Sequence, residues 1–149
     1  TMQTKFKTLN ILMMTLALGF VATTSSAGFF DGQTPLLCSV HQLFECDPPN
    51  ACHAVTPDEI LGLSHFDIDF SKKVVTRAGV ESKQQSRIES VKTEIDGKTI
   101  IQGIEDGQPG ERDGAGWSIS IMDPEGTMVM ATAGDGFAVV GLGACVPKP

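Results

Sequence analysis

Apolar and polar positions alternate through residues 65–70, with Phe66, Ile68 and Phe70 on one face and Asp67 and Asp69 on the other. A period of two sends successive side chains to opposite faces of an extended chain, so this segment is predicted as a half-solvated β-strand. Near alternation also marks Leu36 to Cys46, Val91 to Ile95, Thr99 to Ile104, Trp117 to Met122, Thr127 to Thr132 and Phe137 to Leu142. Residues 74–76 extend the pairing, and each run is short and apolar enough for a strand.

The polar residues between these runs supply the turns. Asp96-Gly97 is the signature of a two-residue type I′ hairpin, because both central positions of that turn need φ > 0. Asp123-Pro124-Glu125-Gly126 and Ala133-Gly134-Asp135-Gly136 turn the chain again, while 47–57, 78–87 and 105–116 are predicted as loops. Thr56-Pro57-Asp58-Glu59 has an N-cap residue, a Pro at the first position and two acids, which predicts a short helical turn through Leu61, ended by Gly62. Short strands joined by tight turns, with no longer helix, predict an all-β fold: an antiparallel meander of about seven strands closing into a barrel or strongly curled sheet.

Cysteine placement sharpens this picture. Cys38, Cys46, Cys52 and Cys145 are four, which allows three pairings and suits two disulfides. The turn-forming stretch Asp47-Pro48-Pro49-Asn50-Ala51 favours a local Cys46–Cys52 bridge and leaves Cys38 with Cys145. The second bridge makes sense if the first and last strands are neighbours, as barrel closure requires. His41 and His53 sit among the cysteines, but paired C-x-x-C knuckles are absent, so neither a metal nor any other cofactor is expected.

The start of the chain is of another kind. Lys5 and Lys7 precede an apolar stretch from Leu9 to Ala22, followed by Thr23-Thr24-Ser25-Ser26-Ala27, the three parts of a cleavable export signal. An apolar run of about 14 residues spans only about 21 Å as a helix, short of the ~30 Å hydrocarbon core, so cleavage after Ala27 is expected over anchoring. The expectation is a signal peptide over 1–27 and one β domain over 28–149, with flexible flanks at 28–35 and 146–149, working in the periplasm or outside the cell.

Charge narrows the partners. Without Lys5 and Lys7, nine basic residues face eighteen acidic ones, a formal −9. Such a surface opposes nucleic acid and anionic membranes and admits a basic protein. The acidic loop carrying Glu105, Asp106, Glu111, Arg112 and Asp113 is a candidate contact surface; it lacks the ligand order of an EF-hand.

Catalytic signatures are missing: there is no G-x-S-x-G, no G-x-x-x-x-G-K-[ST] and no H-E-x-x-H. The spacing of His41, His53 and His65 selects no triad, and Asp67 with Asp69 reads as a solvated strand face rather than a carboxylate pair. Trp117 reads as a core anchor, and Met122, Met128 and Met130 as core filling.

Together, the Cys38-x₇-Cys46-x₅-Cys52 spacing, Phe66-x-Ile68-x-Phe70, the Asp96-Gly97 hairpin, Gly116-Trp117-Ser118-Ile119 and the closing Gly143-Ala144-Cys145 resemble small exported proteobacterial proteins of uncharacterised function. That resemblance implies fold and compartment and carries no catalytic residues. In size and architecture the chain is also similar to the periplasmic inhibitors of C-type lysozyme, although their Tyr-bearing loop has no counterpart in a chain without Tyr. The expectation is therefore a non-enzymatic exported binding or envelope-accessory protein. The alternatives are an inhibitor of a basic hydrolase, a small hydrolase, or a barrel carrying an apolar ligand among Phe66, Phe70, Ile119 and Phe137.

Overall fold

The computed structural model describes residues 28–48, 50–60, 64–77, 85–93, 95–107, 110–111 and 113–149. The expected export signal over 1–27, the expected helix end at Leu61 and Gly62, and Arg112 lie outside the described residues. Among the described residues nine strands form: β1 (Leu36–Asp47), β2 (Ala51–Val55), β3 (His65–Asp69), β4 (Val74–Arg77), β5 (Ser86–Lys92), β6 (Lys98–Glu105), β7 (Ala115–Met122), β8 (Thr127–Gly134) and β9 (Phe137–Pro147). All pairings are antiparallel, and β1 also pairs with β9, so β1 and β3 to β9 close an eight-stranded barrel. Eight strands enclose an interior that side chains alone can fill, and the core is built this way.

Two strands more than predicted arise from one local feature and one boundary. Ala51–Val55, expected as part of a turn-rich link, forms β2, which lies in line with β3 along the same edge of β1. Short pairing at β4–β5, only Val74↔Arg87 and Val75↔Ser86, separates residues 74–77 as a strand of their own. At the expected helical turn, Thr56 N–H donates to Glu59 Oε2 and Glu59 N–H to the Thr56 carbonyl; this reciprocal capping pair closes a turn, without a helix.

The alternation that predicted the strands explains the core. Leu36, Cys38 and Val40 of β1, Phe66 and Ile68 of β3, Ile101 of β6, Ile119 and Ile121 of β7, Met128 and Met130 of β8, and Val139 of β9 are all buried. Bulges at His41 and Glu89 each insert one residue, so the inward phase changes from Val40 to Leu43 and from Ile88 to Val91. The Asp96-Gly97 hairpin has φ of 54° and 68°, and Ile95 and Lys98 exchange both backbone hydrogen bonds, as a type I′ turn requires.

Both disulfides join residues directly opposite each other on neighbouring strands, each pair with Cα atoms 4.0 Å apart: Cys38–Cys145 across β1–β9 and Cys46–Cys52 across β1–β2. The first closes a separation of 107 residues, the second one of 6. No free cysteine is left.

The flanks read as flexible from composition carry contacts. Phe30 is 5 % exposed and enters the core beneath the β7–β8 turn, and its carbonyl accepts a hydrogen bond from Thr99 Oγ1. Asp31 Oδ1 accepts from the backbone N–H groups of Gln33 and Thr34, which folds the segment over that end. At the other terminus β9 continues through Pro147, Lys148 N–H donates to the Pro35 carbonyl, and Lys148 Nζ pairs with Asp67 at 2.9 Å. One end of the barrel is thereby sealed.

Candidate functional site

The opposite end stays half open. There, a cavity of about 60 Å³ is lined by Phe66, Val75, Arg77, Ser86, Glu105, Trp117, Ile119, Met130 and Thr132. The strand register assembles this ring: Phe66 faces Arg77 across β3–β4, Val75 faces Ser86 across β4–β5, and Trp117 sits between Gly103 of β6 and Thr132 of β8. Each polar member occupies an inward position within the last turns of its strand, where the apolar core gives out and a polar side chain still reaches water.

Charge at this mouth is internally balanced. The Arg77 guanidinium pairs with Glu105 Oε1 at 3.3 Å, their side chains 16 % and 25 % exposed, and Ser86 Oγ donates to Glu105 Oε2 at 3.3 Å. Arg87 reaches Asp106 at 3.1 Å just outside. These contacts bridge β4, β5 and β6 where the β4–β5 ladder has only two pairs, so they hold the rim that the backbone leaves thinly bonded.

Trp117 is placed by a missing side chain. A Cβ at Gly103 would collide with its ring and with the Arg87 carbonyl, so glycine alone lets the indole lie flat over β6. The indole packs against the core, as a core anchor does, and also lines the mouth. Its Nε1 is buried and has no hydrogen-bond partner among the described residues.

Of the residues singled out from the sequence, Glu105, Phe66, Trp117 and Ile119 belong to this ring, and the structure places the others apart from it. Of the acidic loop, Glu105 turns inward to Arg77, Asp106 is held by Arg87, and Glu111 and Asp113 are exposed, Asp113 beside Gly107. His41 bonds Ser39 Oγ at 2.9 Å on the outer wall, His53 lies 3.9 Å from Glu45, and His65 is exposed at the start of β3, so the three do not meet. Among the described residues no group of three or more His, Cys, Asp or Glu is placed to hold a metal ion.

Asp69 accepts from Lys72 Nζ, Ser71 Oγ and the Lys72 backbone N–H, which hold its carboxyl well below the ordinary range; it belongs to the β3–β4 turn. Met128 and Met130 fill the core, whereas Met122 is exposed. Of the four residues named for an apolar-ligand interior, Phe66 and Ile119 line the cavity, Phe70 packs against the core and Phe137 is exposed.

Arg77, Ser86 and Thr132 are not singled out by the sequence, and Glu105 is singled out there only as part of the acidic loop. Their signal is a polar residue at the inward phase of a strand end, legible only once the strand register is known.

No family model, no curated protein and no solved structure matches this chain. No helix among the described residues is long and apolar enough to cross a membrane.

Proposed function

We propose that this chain is a non-enzymatic binding protein of an oxidising compartment outside the cytoplasm, and that the open end of its barrel is the binding site. The observation that carries the reading is the asymmetry of the two ends. One is filled by Phe30, outside which Phe29, Pro124, Glu125 and Val146 line an open groove of about 180 Å³, while the other keeps a cavity that reaches between the strands, where Arg77, Ser86, Glu105 and Trp117 converge on apolar walls. Concave apolar sites with a few polar groups are where small ligands bind. Export is supported by the basic, apolar and small-residue parts of 1–27 and by two disulfides, which persist in oxidising surroundings.

Ser86 Oγ donates to Glu105, but that carboxylate is already paired with Arg77 and so is a weak base for activating a hydroxyl, which favours binding over turnover. A basic protein docking on the acidic loop has less support, because Glu105 and Asp106 are already engaged by Arg77 and Arg87.

Ligand-observed NMR with a library of small fragments tests the proposal. Fragments should bind the oxidised protein at millimolar concentration and lose binding when the mouth is filled by Thr132→Phe in a variant of unchanged far-UV spectrum. Equal binding to that variant, or no fragment bound at all, would overturn it.

A further inference from the structure

We infer that removal of residues 1–27 frees the Gly28 nitrogen as an ammonium that pairs with the Asp123 carboxylate and pins the sealed end of the barrel. This rests on the export reading above and adds what processing does for the fold. A Cβ on Gly28 would collide with Asp123 Oδ2 and lie 3.0 Å from Oδ1, so the residue expected to begin the processed chain already lies against that carboxylate. Asp123 Oδ1 is buried without a hydrogen-bond partner among the described residues, and none of their ion pairs includes Asp123. Lys98, opposite Met122 across β6–β7, gives its ammonium to Asp96 at 3.1 Å instead. What the carboxylate lacks is a charged donor.

Both partners are held in place by the chain around them. Asp123 N–H donates to the Gly97 carbonyl at 2.9 Å and Gly126 N–H to the Met122 carbonyl at 2.8 Å, which fixes the turn that carries the carboxylate. Two residues beyond Gly28, Phe30 is buried in the core and its carbonyl accepts from Thr99 Oγ1. The Gly28 nitrogen and the position a Cβ would take are substituents of one Cα, about 2.5 Å apart. In the uncleaved chain that nitrogen is a neutral amide bonded to Ala27. An endopeptidase of the export route would hydrolyse this bond with water as the one co-reactant: Ala27 keeps the oxygen as a carboxylate, and Gly28 takes the protons as an ammonium, charged below about pH 8. Freed from Ala27, the nitrogen turns about the Cα–C bond toward the place that glycine leaves open. A neutral amide beside Asp123 thereby becomes a donor of charge-assisted hydrogen bonds.

The test uses the protein recovered after export of the full chain. Its N-terminal residue, read by sequencing, should be Gly28. The α-amine should titrate, by NMR of the Gly28 α-carbon, above the ordinary range of about 7.7–8.0 and return to it in Asp123→Asn, because an opposite charge favours the ammonium. Of the other charged groups on the neighbouring turns, Lys98 and Asp96 hold each other, Asp31 accepts from its own backbone and Glu125 is exposed. Transamination with pyridoxal phosphate turns the α-amine into a carbonyl and spares the lysines. It should raise the unfolding equilibrium constant roughly tenfold, as for one hydrogen bond to a charged group, and leave that of Asp123→Asn unchanged.

An exported protein that begins at any other residue would overturn the inference and leave the export reading standing. A chain that stays inside the cell with residues 1–27 attached would overturn both. An α-amine that titrates in the ordinary range, or a transamination that costs no stability or costs as much in Asp123→Asn, would overturn the pairing with export intact. Should Asp123→Asn not fold, the amine titration and the transamination of the native protein decide.

Discussion

The two ends of this barrel are built from the same eight strands, yet one is sealed and the other is open. At the sealed end the inward positions are Leu36, Ile121, Met128 and Thr99, all at most 2 % exposed, and Phe30 is driven in among them from outside the sheet. At the open end the inward positions are Arg77, Ser86, Glu105, Trp117 and Thr132, and they line a cavity. Closure of a small barrel therefore depends less on strand number than on what its last inward positions carry. Apolar ends demand a plug, whereas polar ends can face water and remain accessible.

The disulfides fall on opposite sides of the same divide. Cys38–Cys145 lies by the plug, since the Cys145 carbonyl and the Phe30 ring both border Gly126, and it closes the long separation. Replacing that pair with alanines should cost about 4–5 kcal/mol by loop-entropy scaling, against about 2 kcal/mol for Cys46–Cys52. Denaturant unfolding of the two double variants checks the ranking. Equal losses would show that the sealed end has no larger share of the fold's stability.

Phe30→Ala comes next, at about 3 kcal/mol, because it leaves a cavity in a part of the core that cannot readily collapse. The same variant should leave the Trp117 emission maximum unmoved. A shift in emission would mean that the two ends are coupled.

Gly103→Ala probes the open end with about 1–3 kcal/mol, since the added methyl meets the Arg87 carbonyl and the indole. Here emission should change and the packing around Phe30 should not, as read by side-chain NMR contacts. An unchanged emission spectrum would show that the indole is not held over Gly103.

The smallest effect is that of acid on the plug. Hydrogen bonds from the backbone N–H groups of Thr34 and Gln33 hold the Asp31 carboxyl below its ordinary value. A depressed carboxylate contributes its stability above its unfolded pKa, about 3.9, and loses it as pH falls through the folded value. The difference in melting temperature between the native protein and Asp31→Ala should therefore be constant from pH 7 to about 5 and shrink below pH 4. A difference that persists to pH 2 would exclude this role for the carboxylate.

Legibility in the sequence follows a similar division. Strands with unbroken alternation and a turn dipeptide, such as β6 and β7, were readable because the inward set never changes phase. The His41 and Glu89 bulges broke that rule without any compositional mark, since each adds one ordinary polar residue. β2 was unreadable for a different reason: its first four residues are exposed, so no apolar face announces it, and pairing with β1 and the Cys46–Cys52 bridge make it a strand.

Phe30 reads as one more apolar residue after a small-residue stretch. Only the closed barrel supplies the hole it fills. The mouth was hidden more deeply, because Arg77 and Glu105 are 28 residues apart and meet only through the register of three strands. Tryptophan 117 was recognised as a packed residue, but its unsatisfied donor depends on where the neighbouring acceptors stop.

Shift mapping of the oxidised protein with the fragments that bind it tests most directly whether one end is sealed and the other receives a ligand. Amide shifts clustered at Arg77, Ser86, Glu105, Trp117 and Thr132, with Phe30, Thr99 and Leu36 unmoved, are predicted. Shifts centred on the Phe30 end, or spread evenly over the barrel, would contradict it.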